Sequence, residues 1–329
     1  MRWFVLLAFL IFASTPLALG ETSEQPEAFD EAAHAARMAE VVEQLLGSAE
    51  PARQAAGLLI SETMRAHALP ERSLLLQEQQ SLDRIHELAD TADTPLARAL
   101  LAKLCETKSI QADCVGHGLD DAIVRYDNAE LFARMHLTEH ENTDRLRNVL
   151  VEAKALNERH VDYALLLLDA IEDHGGFTPE ERFGTPFLYG MSLMPSLSAL
   201  SNLCRSPSPE DPELDNACAR NLQLMLLDGN SIITTAISSA IIAQRHTADG
   251  NPNAQQQHEQ WSTEVSALTA CVGPIGEQFW KTADSESVRE FLEHWQQYGE
   301  ASAHVMTADK AGAACGPLEP SPFRTSSIN

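Results

Sequence analysis

The sequence predicts an all-α protein of stacked antiparallel helical hairpins, an α-solenoid, followed by a C-terminal helical part. Three observations point there. Apolar residues recur at three- and four-residue spacing in nearly every window after residue 30, which puts them on one face of a helix. Strand signals are almost absent, with few alternating runs and no Asn-Gly turn to join a pair of them. Helix starts fall at Thr94, Asn128 and His160 or Val161, steps of 34 and 32–33 residues, which is the length of a helical-hairpin repeat. A single hairpin of that size cannot bury its apolar face, so neighbours must stack.

The chain opens on "MRWFVLLAFLIFASTPLALG". Arg2 precedes an apolar run, Pro16 breaks it, and Ala18-Leu19-Gly20 supplies small residues, so residues 1–20 read as a signal peptide cleaved after Gly20. Residues 21–30 are polar and read as a flexible linker. A helical-repeat region is expected over 31–176, a C-terminal helical region over 177–315 and a disordered tail over 316–329.

Element by element, Met38, Val41, Val42, Leu45 and Leu46 form the first apolar face, and Gly47 stops it. Ser48 and Pro51 open a second helix with Ala52, Ala55, Ala56, Leu59 and Ile60 on its face. Asp93-Thr94-Pro95 opens another that runs to Cys105. Asn142 or Thr143 caps a helix bearing Leu146, Val149, Leu150, Ala153 and Leu156. Val161, Ala164, Leu165, Leu168 and Ile171 continue, ending at Gly175-Gly176. From Phe177 to Pro195 the density of Gly and Pro predicts a long connection. Leu197, Leu200 and Leu203 then lie on a helix ending at Cys204, followed by a polar acidic loop closed by Cys218. Helices are expected over Ala219–Leu227, Ile232–Ala243, Trp261–Cys271, Ile275–Lys281 and Val288–Tyr298. "IITTAISSAIIA" is the most apolar of these, but it falls short of the ~18 residues a membrane span needs and reads as a buried helix.

The mature chain would keep six cysteines, Cys105, Cys114, Cys204, Cys218, Cys271 and Cys315, an even number that in an exported protein predicts disulfides. Proximity favours Cys105–Cys114, Cys204–Cys218 and Cys271–Cys315, and no C-x-x-C pair suggests a zinc or redox site. The periplasm is the expected compartment, extracellular secretion the second choice. The chain has 23 Lys and Arg against 48 Asp and Glu, a formal charge of −25. A surface of that sign repels phosphate backbones and anionic membranes, which argues against nucleic acid; it can steer a basic protein or peptide partner, while a solvated acidic surface that needs no partner accounts for it more simply. No cofactor is expected, and no membrane insertion after signal cleavage.

"DTPLARALLAKLC", "LDDAIVRYDNAELFARM" and "MPSLSALSNLC…NACARNLQLMLLDGNSIITTAISSAIIAQR" together resemble a group of exported α-helical, tetratricopeptide-like proteins of Gram-negative bacteria. The resemblance covers roughly residues 50–270 and rests on pattern. Asp127-Asn128 matches a cap that opens a repeat helix, and Cys204 and Cys218 match a pair that brackets a loop; Leu131 or Phe132 stands where the pattern often has Trp. The resemblance implies a helical periplasmic fold and carries over no catalytic residue. The glycine and aromatic positions of the tetratricopeptide pattern itself are not at fixed offsets here.

One motif carries chemistry. His136, Glu139 and His140 spell H-x-x-E-H, and on a helix all three share a face, where two imidazoles can ligate zinc while the carboxylate activates water. In chains of this composition the spelling arises by chance in roughly 4 of 100. A third ligand is also wanting: Glu210 and Glu213 sit in a Pro-rich stretch, and the family spacing lands on Ala217. Ser192 in "YGMSLM" lacks the second glycine of a nucleophile elbow, and Asp120 and Asp121 read as helix caps. His160, His174 and His246 sit at helix ends with no role assigned. The reading is a non-enzymatic interaction scaffold, with an inhibitor of a secreted enzyme as its specific form and a zinc-dependent hydrolase as the alternative.

Overall fold

The computed structural model describes residues 30–68, 74–106, 131, 135, 143–156, 158–206 and 208–324. Among them the chain forms thirteen helices and no strand: α1 (Glu31–Leu46), α2 (Pro51–Ala68), α3 (Leu74–Thr91), α4 (Pro95–Glu106), α5 (Thr143–Glu152), α6 (His160–His174), α7 (Pro179–Ser192), α8 (Ser198–Cys204), α9 (Pro212–Leu227), α10 (Ile232–Ala248), α11 (Asn253–Thr282), α12 (Ser285–Tyr298) and α13 (Glu300–Lys310). The all-α expectation holds. No described helix is long and apolar enough to cross a membrane.

The N-terminal faces are buried where the spacing put them. Met38, Val41, Val42 and Leu45 of α1 meet Ala55, Ala56, Leu59 and Ile60 of α2, and Leu100, Leu101 and Leu104 of α4 join the same core. Helices α1, α2 and α4 stack in order, and α9, α10 and α11 do the same nearer the C-terminus. The middle is different. Helix α6 packs against α1, α2, α7 and α12, so it joins elements far apart in sequence. Its Tyr163, Leu167, Ala170 and Ile171 face the first core, while Val161, Ala164 and Leu168 face an aromatic core with Phe183, Phe291 and Trp295.

Four sequence expectations are corrected. The stretch 177–195 is not a connection: Thr178 accepts from Glu181 N while the Glu181 side chain accepts from Thr178 N, a capping box with Pro179 at the first helical position, and α7 follows. Its Gly190 permits close approach, since a Cβ there would lie 2.6 Å from the His160 carbonyl oxygen. Helix α9 begins at Pro212, inside the expected acidic loop, because Asp211 caps Leu214 N at 3.1 Å. The helices expected at 261–271 and 275–281 are one 30-residue helix, α11, which runs through Pro274. The tail is ordered over 316–324, where Phe323 is buried and the Trp261 indole N–H donates to the Glu319 carbonyl at 2.9 Å. Helices α3 and α13 had no sequence counterpart above. The proposed signal peptide and linker lie outside the described residues, save Asp30, which caps α1.

Cys204–Cys218 and Cys271–Cys315 form disulfides, with Cα atoms 5.4 and 5.9 Å apart. Cys105 is disulfide-bonded too, but Cys114, its expected partner, lies outside the described residues. The first bridge ties the end of α8 to the interior of α9. Arg245 of α10 braces the turn between them, donating to the Cys204 carbonyl at 3.1 Å and to Asp215 at 2.6 Å.

Candidate functional site

Helices α6, α10 and α13 begin at one place, and their first turns enclose the most deeply buried group of ionisable side chains in the described structure. Asn230, just before α10, is its centre. The Asn230 carbonyl accepts from the Trp295 indole N–H at 3.0 Å and from Glu300 N at 2.7 Å. The Asn230 and Ser231 N–H groups donate to Glu158 Oε2 at 2.8 and 3.1 Å. Ile232 N donates to Glu300 Oε2 at 2.7 Å, and Ser231 Oγ accepts from Ile233 N at 3.1 Å. Two carboxylates and a serine thus satisfy N–H groups that a helix start leaves without intrahelical partners, and the positive end of the α10 dipole faces them.

His160 opens α6 beside this cap. Its Nδ1 lies 3.9 Å from Glu158 Oε2, too far for a hydrogen bond, and neither ring nitrogen has a partner. The ring meets Trp295 edge-on with centroids 5.3 Å apart. The side chains of His160 and Glu158 are 4 % and 0 % exposed. Burial pushes the Glu158 carboxyl up to about 7, against the Thr234 hydroxyl and the Asn230 N–H. Thr234 Oγ1 nevertheless completes no hydrogen bond with Glu158 Oε1, and both atoms are buried without a partner. Burial pushes His160 down to about 4, against the charges of Glu300 and Asp162. Between those values both groups are neutral. In water a Glu and a His at the same pH are ionised; desolvation here reverses that order.

A pair so perturbed is a candidate for acid–base chemistry. A general base must reach its proton, and both of these side chains are buried. The small cavity beside His160 is walled by Val161, Phe187, Gly190, Met191, Leu292 and Trp295, with no second polar side chain. The group joins three helix starts.

A second polar cluster holds α1 to the start of α7. Glu181, 6 % exposed, accepts from His34 Nδ1 at 2.9 Å, from Arg37 and from Thr178 N. Burial would raise its pKa, but these donors outweigh burial and hold it at about 2. Next to it His174 bridges the Gly175 carbonyl and Glu40, at 2.8 and 2.7 Å, and both bonds raise its pKa.

The proposed zinc residues His136, Glu139 and His140 lie outside the described residues, as do Asp120 and Asp121. Glu213 bonds Arg147 at 2.9 Å, and Ser192 Oγ donates to the Tyr189 carbonyl at 2.6 Å, so neither is poised for chemistry. His246 is exposed in the last turn of α10 and meets Phe323 edge-on. Among the described residues no group of three His, Cys, Asp or Glu side chains is arranged to hold a metal ion. Sequence reasoning passed over Glu158 altogether and left His160 idle. The available signal was the turn Asp228-Gly229-Asn230-Ser231, whose helix start requires acceptors from elsewhere. No protein family, curated protein or solved structure matches the chain.

Proposed function

We propose that this is an exported, non-enzymatic binding protein of the periplasm whose acidic surface engages a basic protein, in its specific form an inhibitor of a secreted enzyme. One observation carries the reading: the described arginines are largely paired with carboxylates of the same chain. Arg37 meets Glu181, Arg147 meets Asp211, Arg245 meets Asp215, and Arg289 meets Asp169 and Glu172. The excess of carboxylates in a chain of formal charge −25 is thus left at the surface, on residues such as Glu43, Glu87, Asp90, Glu264 and Glu293. Such a field attracts a cationic partner and speeds its approach. The stack α1–α2–α4 supports the helical-repeat reading of residues 31–176, and the disulfides support an oxidising compartment.

The test is crosslinking in living cells, then capture and mass spectrometry, at low and high salt. A single basic partner in equal amount, released by salt and by charge reversal at exposed Glu43, Glu87 and Asp90 or at Glu264 and Glu293, is the expected result. A partner that is acidic, or indifferent to salt and to every charge reversal, overturns the reading.

A further inference from the structure

The C-terminal segment after α13 does not behave like the rest of the chain. It crosses α9, α10 and α11 without helix and ends in a turn, in which Arg324 N donates to the Ser321 carbonyl at 2.9 Å. The groove holds it chiefly through side chains that bind its main chain. Trp261 donates to the Glu319 carbonyl at 2.9 Å and Gln223 to the Phe323 carbonyl at 3.0 Å, while Ser321 Oγ donates to Ser239 Oγ at 3.1 Å. Phe323 is the anchor, 5 % exposed, in the core of α9 and α10 and edge-on to His246. Around these points Pro317, Glu319, Pro320 and Pro322 are exposed. A groove that reads backbone and takes one aromatic side chain has the chemistry of a peptide-docking site.

What closes the segment down is covalent. Cys315 is bonded to Cys271, which sits on the exposed side of α11, whereas Cys204 and Cys218 are 0 % and 1 % exposed. An attacking thiolate can reach the Cys271–Cys315 bridge and not the Cys204–Cys218 bridge. Residues 309–312, between the last turn of α13 and the bridge, are all exposed, and Gly312 at φ +78 ends the helix, with Ala313 N donating to the Ala308 carbonyl at 2.9 Å, so the segment leaves α13 from a solvent-exposed cap.

We propose that the groove on α9, α10 and α11 is a docking site for a non-helical peptide with a Phe two residues after a Ser, and that residues 316–324 are a strap that occupies it under a redox latch. A dithiol opens the latch. One of its sulfurs attacks the exposed Cys271 sulfur, the Cys271–Cys315 bond breaks, and its second sulfur resolves the mixed disulfide. Two electrons and two protons pass to Cys271 and Cys315, and the dithiol becomes a cyclic disulfide. The strap then exchanges with a peptide of the same pattern from another protein. A second copy of this chain is the weaker occupant, because two surfaces of formal charge −25 repel. The proposal does not depend on which partner the acidic surface binds.

Two measurements test it. Graded reduction with a dithiol, followed by alkylation and mass spectrometry, should open Cys271–Cys315 at least tenfold before Cys204–Cys218; equal rates, or the reverse order, overturn the latch. The groove is tested with the full chain carrying Cys315→Ser and Phe323→Ala, its fold checked by circular dichroism and the intact Cys204–Cys218 bridge. The probe is a fluorescent peptide of residues 316–324. Saturable binding to this variant, at least tenfold weaker to the oxidised native chain and lost when the peptide itself carries Phe323→Ala, supports the groove. No binding to a folded variant, or binding indifferent to the peptide's Phe, makes the segment a fixed part of the fold and overturns the proposal. Should the double variant fail to fold, the same peptide against the singly substituted Cys315→Ser chain decides, with competition from the tethered strap weakening but not abolishing it.

Discussion

Substituting Glu158 or His160 should change how stability depends on pH, in opposite directions. The folded His160 titrates at about 4, below the 6.5 of a free imidazole. Between these values the unfolded chain binds a proton that the folded chain does not, so this group makes stability rise with pH and fall on acidification. The folded Glu158 titrates at about 7, above the ordinary 4.5. Between those values the folded chain binds the extra proton, so this group makes stability fall as pH rises. From pH 4.5 to 6.5 the two contributions cancel. The folded pair is neutral Glu and neutral His, the unfolded pair is ionised, and both hold one proton in total. Removing one partner uncovers the other. One uncompensated proton changes stability by about 1.4 kcal/mol per pH unit, hence about 2.7 kcal/mol across this window. Glu158→Gln keeps an acceptor for Asn230 and Ser231, and its stability relative to the native chain should climb by about that amount from pH 4.5 to 6.5. His160→Leu should lose about as much over the same range. Urea denaturation of the oxidised proteins at several pH values measures both, and the native chain serves as the reference that removes every other titrating group. Two parallel, flat difference curves would refute the assignment of a neutral pair.

The remaining predictions concern the joints of the fold. Glu181→Gln should cost about 3 kcal/mol at pH 7, from a carboxylate held at about 2 instead of 4.5. Because its folded pKa is depressed, that contribution is complete above pH 4.5 and fades as pH falls towards 2; a deficit that persists undiminished in acid would contradict the account. Gly190→Ala drives a methyl against the His160 carbonyl and should destabilise by about 1–3 kcal/mol, read as a lower thermal midpoint; an unchanged midpoint would mean that α6 and α7 have slack the close approach denies. Replacing Cys204 and Cys218 by Ser should remove about 3 kcal/mol, the chain-entropy value for a loop of this size. A loss under about 1 kcal/mol would show that Arg245, with its bonds to the Cys204 carbonyl and Asp215, already holds that turn.

Helix identity was legible wherever an apolar face repeats. Met38 to Leu45, Leu146 to Leu150 and Val161 to Ile171 are buried as their spacing demands. Legibility failed where two local signals compete. At 177–195, Pro179, Gly184, Pro186 and Gly190 read as breakers, yet the Thr178–Glu181 box fixes the start and Gly190 serves a close contact rather than a turn. Asp211-Pro212 was the same start signal hidden in an acidic stretch. At Pro274 a proline lies inside a helix whose Ala254, Trp261 and Leu268 keep a seven-residue seam. The ordered tail had no periodicity to find, because a strap bound through its main chain needs none. The polar node was invisible for a further reason: Glu158, Asn230 and Glu300 follow one another at intervals of some 70 residues, and only the packing of α6 on α12 brings them together.

That node also bears on how an acidic chain holds its two halves together. Three helix starts with their positive ends inward would repel one another if left bare, and water is excluded from the place where they meet. Cations cannot serve there, since they would add to the repulsion. Carboxylates can, and this chain has them in excess. Yet a fully ionised Glu158 beside Glu300 would bury two negative charges against one cluster of N–H groups. Keeping Glu158 protonated below about pH 7 supplies the acceptor oxygen with less buried charge, and a neutral His160 avoids the cost of a buried imidazolium. Glu158 and His160 therefore enter the junction in their uncharged forms, while the excess of carboxylates stays at the surface. Reversing charges at the surface should leave the opposed pH dependences of the Glu158→Gln and His160→Leu variants intact, and substituting Glu158 should leave the salt dependence of partner capture intact. If either change disturbed the other property, the separation between a neutral joint and a charged binding surface would fail.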